Sequence, residues 1–156
     1  MMKEIRFKAL SEDAFIPEKA TVDSIAFDLR IPRTVSVPVG RSIIPLDFAM
    51  ALPKGYEMKI EPRSGFSAKG VLGTSKDAKE EQRFDADVIV GKVDSDYRGC
   101  VGIIINNHDG EFWLKRGTRL AQATIYYSDP MWHFVTVTDL DDTKRGIGGF
   151  GHTGAY

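Results

Sequence analysis

The chain has 156 residues, is 42% hydrophobic and 28% charged, and carries a formal net charge of −1. That length suits one domain with a proper core, and near-neutral charge excludes a general field for polyanions, leaving room for a small anionic ligand held by a few convergent arginines. One cysteine, Cys100, excludes an intrachain disulfide and a Cys-based zinc site, and His108, His133 and His152 show no ligand spacing such as HExxH.

The N-terminal MMKEIRFKAL is too short and too charged for a signal h-region, and no apolar run approaches a membrane span. A reducing, cytoplasmic setting is expected, with neither nucleic acid nor membrane as partner. Within that segment Ile5, Phe7 and Ala9 alternate with Arg6 and Lys8, the period of a strand. Further strands are predicted over IAFDLRI (25–31), TVSVPV (34–39), SIIPLDFAMAL (42–52), YEMKIEP (56–62), ADVIVGKVD (86–94), CVGIIINN (100–107), TRLAQATIYY (118–127) and MWHFVTVTDL (131–140). PKG, SDYRG, NNHDG and KRGT mark turns between them. Even spacing of short strands predicts an all-β, antiparallel sandwich, jelly-roll or barrel-like fold. Helix is scarce. The one candidate is SKDAKEEQRF (75–84), charged and without an apolar stripe, read as a surface insertion of one or two helical turns.

Ile103, Ile104 and Ile105 run consecutively, so both faces of their strand are expected to be covered. Subunit packing is one way to cover them, and a core strand of a monomeric sandwich is the other. The organisation expected is a single all-β domain over residues 1–140 and a glycine-rich arm over 141–156.

Five segments carry candidate chemistry. Asp28 in IAFDLR is an acid within an apolar strand and needs a partner, for which Arg63 is the natural choice. EPRSGFSAKG (61–70) combines Arg63 and Lys69 with the Ser64 hydroxyl and the tight turn that Gly65 permits, a phosphate cradle or simply a charged turn. It lacks the spacing of a P-loop. VDSDYRG (93–99) places Asp94 at a strand end, where a fixed aspartate can act as general base or orient water. The alternative for Asp94 and Asp96 is turn chemistry. RLAQ (119–122) sets Arg119 and Gln122 on alternate faces of a strand. The terminal RGIGGFGHTGAY (145–156) either frays or closes on a ligand. In the second case Arg145 meets an anion, the amides of Gly148, Gly149 and Gly151 approach phosphate oxygens, and Phe150 stacks on a flat ring.

In this order SIAFDLR, PRSGFSAKG, GKVDSDYRG with IINN, RLAQ and RGIGGFGHTG resemble the five motifs of the homotrimeric dUTPase family, from about Ser24 to Gly154. The resemblance implies a jelly-roll-like β-clip subunit in a three-fold trimer with shared active sites and an arm that closes over them. It implies hydrolysis of dUTP to dUMP and pyrophosphate, which keeps uracil out of DNA and supplies dUMP for thymidylate synthesis. Mg²⁺ would be bound through the triphosphate, with no direct protein ligand. Asp94 would activate the water that attacks the α-phosphorus. Tyr97 would pack on the deoxyribose and exclude a 2′-hydroxyl. The main chain around Gly91, Val93, Cys100, Val101 and Gly102 would read the uracil edge, with Phe150 capping the base. Arg63, Ser64, Gly65, Gln122, Arg145, Gly149 and Thr153 would hold phosphates, and Asp28 would brace Arg63 and join the water network near the metal.

The sequence departs from the family pattern at Ala26, at Lys92, at His152 and in the length of the 71–90 link. Two other readings of the same fold are a dCTP deaminase, for which no extra acid is evident, and a non-enzymatic regulatory module, against which the intact Asp94, Tyr97 and Arg145 argue.

Overall fold

The computed structural model describes residues 3–78 and 80–148. These form fourteen strands and one short helix. In chain order they are β1 (Arg6–Ala9), β2 (Glu18–Lys19), β3 (Phe27–Arg30), β4 (Val35–Val37), β5 (Gly40–Pro45), β6 (Phe48–Ala51), β7 (Tyr56–Pro62), α1 (Ser64–Lys69), β8 (Val71–Gly73), β9 (Gln82–Phe84), β10 (Ala86–Ile89), β11 (Gly91–Val93), β12 (Gly102–Asn107), β13 (Phe112–Leu114) and β14 (Arg119–Tyr127). The all-β, antiparallel, jelly-roll-like class expected from the sequence is what forms.

The largest sheet has the order β11-β7-β14-β3-β2, and a three-stranded sheet has the order β10-β12-β5. Two-stranded pairs β1-β6, β4-β13 and β8-β9 complete the framework. Period-2 alternation sorts the faces. Met58 and Ile60 of β7 point inward while Glu57, Lys59 and Glu61 do not, and Ile103 and Ile105 of β12 are fully buried. One continuous core joins these residues to Leu29, Phe48, Leu120 and Phe112. Burying a side chain of this size is worth about 1.5–3 kcal/mol, so this core holds the two main sheets together. Asn107 is buried at the end of β12, and its amide donates to the carbonyls of Val37 (3.0 Å) and Gly110 (3.1 Å). Ile104 faces the other way and is only half-buried in one protomer, opposite the exposed Ile43.

Four sequence expectations are corrected. Among its described residues the stretch 75–84 carries no helix and runs into β9, where its one large apolar residue, Phe84, is buried and stacks on Phe112 with ring centroids 4.4 Å apart. The helix lies instead at Ser64–Lys69, where Gly, Ser and a length of six residues hide it from propensity arguments. SIIPLDFAMAL is two strands, since Asp47 takes a left-handed φ of 57° and its carboxylate accepts a hydrogen bond from Ser11 Oγ (2.8 Å) and pairs with Arg33. ADVIVGKVD also divides: β10 pairs with β12, whereas β11 crosses to β7 in the other sheet. The fourth concerns MWHFVTVTDL, which forms no strand. Trp132, Phe134, Val135 and Leu140 are exposed, and the segment pairs with no sheet edge of its own protomer.

Candidate active site

Two clefts gather the candidate residues. The first, of about 660 Å³, is lined by Ser24, Ala26, Asp28, Arg63, Ser64, Gly65, Phe66, Leu72, Arg83 and Gln122. Asp28 sits on β3 with its side chain 13% exposed. Arg63 Nε lies 3.1 Å from Oδ1 and Arg119 Nη1 lies 3.2 Å from Oδ2, so both carboxylate oxygens are engaged. The pairing of Asp28 with Arg63 is therefore as the sequence suggested.

Arg119 departs from the alternation expected of RLAQ. A β-bulge between Arg119 and Ala121 shifts the register, so Arg119 pairs with Arg30 and Gln122 with Asp28. Residues 28 and 30 share a face, which brings Arg119 and Gln122 to the same side. Leu120 and Ala121 are both fully buried as a result. Gln122 Nε2 donates to the Pro62 carbonyl (3.2 Å) and so fixes the residue that leads into Arg63.

Pro62 ends β7, and Arg63 in extended conformation (φ −78°, ψ 142°) opens α1. The amides of Ser64 and Gly65 begin a helix, where N–H groups have no partner within the helix. A Cβ on Gly65 would meet nothing within 4 Å. Packing of this protomer does not demand glycine there, and the space over its amide is open. Ala26 simply lines the cleft wall.

The second cleft, of about 530 Å³, is lined by Leu52, Gly55, Tyr56, Glu57, Asp94, Ser95, Asp96, Arg98, Ser128 and Pro130. Asp94 is exposed at the end of β11. Its carbonyl accepts the Tyr97 amide (3.2 Å), closing the SDYRG turn, and Arg98 Nη1 donates to the carbonyls of Ser95 (2.7 Å) and Tyr97 (2.9 Å). The Tyr97 hydroxyl donates to the Cys100 carbonyl (3.2 Å), and its ring lies over Gly99, where a Cβ would fall 2.3 Å from the hydroxyl oxygen. Only glycine admits the ring in this position. Val93 and Val101 are buried, so their side chains belong to the core. The Val101 amide donates to Phe48 O (2.8 Å) and its carbonyl accepts from Leu46 N (2.9 Å). Gly91 pairs with Ile60 and Gly102 with Pro45. Lys92 points out of the sheet and pairs with Glu57 at 2.7 Å, which neutralises this departure from the motif. Nearby, a hydrogen bond and the charge of Glu61 hold the Lys59 ammonium above its usual range, so Lys59 is a fixed cation at neutral pH.

The two clefts lie toward opposite ends of β7. Val93 pairs with Met58, so Asp94 follows at the level of Glu57, whereas Arg63 follows Pro62 at the far end. Six residues of strand separate these levels, about 20 Å. Arg145 reaches neither cleft: its Nε donates to the Gly148 carbonyl (2.9 Å) in an exposed turn. Gly149, Phe150, Gly151, His152 and Thr153 lie outside the described residues. Among the described residues no three carboxylate, imidazole or thiol groups converge as a metal cage, and no helix is long and apolar enough to cross a membrane.

Comparison with known proteins matches residues 12–154 to the dUTPase family model. A deoxyuridine 5'-triphosphate nucleotidohydrolase of Caulobacter vibrioides is 42% identical over 159 residues, spanning 96% of this chain and 94% of the relative. The Arabidopsis thaliana protein of that name is 40% identical over 96% of this chain and 82% of its own length. Among solved structures, the Staphylococcus bacteriophage 80alpha dUTPase with dUPNHPP superposes with a TM-score of 0.81 at 23% identity, covering 98% of this chain and 99% of that one. A mutant dUTPase from phage phi11, described for its coordination of a structural Mg(II) ion, gives 0.67 at 21% identity over 90% of this chain and 97% of its own.

Proposed function

The chain belongs to the dUTPase family of nucleotidohydrolases, and on that premise we propose that it hydrolyses dUTP by attack of water at the α-phosphorus, releasing dUMP and pyrophosphate. The observation that carries this reading is the division of chemistry along β7. A phosphate-type cluster (Asp28, Arg63, Ser64, Gly65, Gln122) occupies one end and the Asp94–Tyr97 turn the other. One protomer cannot bring them onto one small nucleotide. A second copy supplying the missing half completes the site, which supports a homotrimer with shared active sites.

In that assembled site Asp94 takes the proton of the attacking water, and the α-phosphorus gains the new P–O bond as the bond to the bridging oxygen breaks. Attack at phosphorus depends mostly on positioning and on neutralising charge over the phosphate oxygens. Arg63, held by Asp28, and the amides of Ser64 and Gly65 do the second, with Gln122 holding a phosphate from the adjacent strand. The Tyr97 ring, fixed over Gly99, packs on the deoxyribose and leaves no space for a 2′-hydroxyl. Main-chain groups near Gly91, Cys100 and Gly102 read the uracil edge; the Val101 amide, already bonded to Phe48, contributes by holding the strand in place.

Magnesium suits this donor set as an ion carried on the triphosphate with its own waters, since both oxygens of Asp28 are engaged by arginines. It supplies charge neutralisation on the phosphates. Residues 141–156 act as the closing arm, with Arg145 released from its local turn to clamp the γ-phosphate, and Gly149, Phe150 and Thr153 completing the enclosure. Closure excludes water other than the nucleophile. By this reading the protein limits uracil entry into DNA, supplies dUMP and works in the cytoplasm.

The test is pyrophosphate release from dUTP, dCTP, dTTP and UTP, with and without Mg²⁺, with ammonia assayed in parallel. Rapid release from dUTP alone, dependent on Mg²⁺, is expected. Ammonia from dCTP, or equal rates on all four nucleotides, would overturn the reading.

A further inference from the structure

The 71–90 link departs in length from the family pattern, and the β8–β9 hairpin within it has an architecture that gives it a task. Val71 and Phe84 pair across it and are both buried, with Phe84 stacked on Phe112. Leu72 and Arg83 form the next pair and project to the opposite face, into the cleft that holds Arg63, Ser64 and Gly65. The core therefore anchors one face of the hairpin and presents the other to the candidate phosphate site. Arg83 Nη1 donates to the Gly70 carbonyl (2.9 Å), and its guanidinium carbon lies 6.0 Å from the Phe66 ring centroid. That fixes the head group while leaving most of its five donors unused. Its ion pairing sets it apart from its neighbours. Arg63 and Arg119 share Asp28, and Glu81 on the same hairpin turns to Lys115 at 3.6 Å. Among the described residues no ion pair engages Arg83.

We infer that Arg83 is a further substrate-binding residue that contacts phosphate oxygens beyond the α-phosphate. An unpaired, oriented guanidinium at the edge of an anion site gains a charge-assisted, fork-shaped contact when polyphosphate arrives. The inference rests on the dUTP-hydrolase reading, and its test separates the two.

Inorganic pyrophosphate, dUMP and dUTP are compared on wild type, Arg83→Ala and Arg83→Lys. Arg83→Ala is expected to raise the dissociation constant for pyrophosphate and KM for dUTP about tenfold each, with dUMP binding unchanged and Arg83→Lys recovering part of the loss. If Arg83→Ala melts early, Arg83→Gln, which keeps a donor for Gly70, takes its place. Unchanged pyrophosphate affinity, or an equal loss for dUMP, overturns the assignment, because a merely structural role would not discriminate phosphate number. If wild type fails to turn over dUTP, the hydrolase reading falls, while direct pyrophosphate binding by calorimetry still decides the role of Arg83.

Discussion

Two Gly→Ala substitutions five residues apart in chain order should have opposite consequences. Gly65 lies in α1, its Cβ position meets nothing within 4 Å, and alanine is the better helix former. Gly65→Ala should stabilise the fold by about 0.5–1 kcal/mol, raising the melting temperature by about 1–4 °C. The same methyl would stand where a phosphate oxygen approaches the amide. Loss of one such charge-assisted bond costs about 1.5–3 kcal/mol, or about 10- to 100-fold in kcat/KM for dUTP. Gly70 is different. Its φ of 80° and ψ of 170° lie in a region that only glycine adopts readily, and an added Cβ would fall 2.4 Å from the Phe84 carbonyl oxygen. Strain of about 1–3 kcal/mol and overpacking of about 1–3 kcal/mol should lower the melting temperature of Gly70→Ala by at least about 4 °C. Melts at one fixed protein concentration, since subunit association shifts the midpoint, and steady-state kinetics on the same samples measure both effects. Gly65→Ala with a raised melting point and undiminished kcat/KM would refute the reasoning, because the open space over the amide would then have no ligand in it.

Asp94→Asn should keep the fold and nucleotide affinity but lose about 10²- to 10⁴-fold in turnover; calorimetry with a non-hydrolysable dUTP analogue beside single-turnover kinetics checks it, and lost affinity with normal turnover would contradict the role. Tyr97→Ala should admit UTP, read as a fall in the dUTP/UTP ratio of kcat/KM. Deleting residues 145–156 should leave the oligomer intact by light scattering and hydrolysis of dUTP severely slowed; full activity would remove the arm from the mechanism.

Legibility of the site from sequence followed a simple division. Residues whose chemistry is local to a motif were readable: Asp28 seeking a cation, a Ser–Gly turn beside Arg63, an aspartate at a strand end before Tyr97. Alternation likewise identified the inward residues of β7 and β12. Residues placed by long-range register were not. Arg119 reaches Asp28 only through a bulge in β14, which overrides the period of two. Arg83 enters the cleft only because Phe84 stacks on Phe112 from another part of the chain. Continuous apolar runs hid the breaks at Asp47 and Val90, since composition does not reveal which sheet each half joins. The 131–140 segment alternates as a strand does, yet it pairs with no strand of its own protomer and its large apolar residues stay exposed.

By itself, then, the sequence determined the chemistry on offer and the all-β class, both of which depend on residue type and on spacing over a few positions. Tertiary structure decided which of those groups share a cleft, that Asp94 and Arg63 stand toward opposite ends of one strand, and that an uncompensated arginine looks into the phosphate side. The reason is physical: hydrogen-bond register and core packing couple residues tens of positions apart, and no local pattern encodes where such a ladder begins.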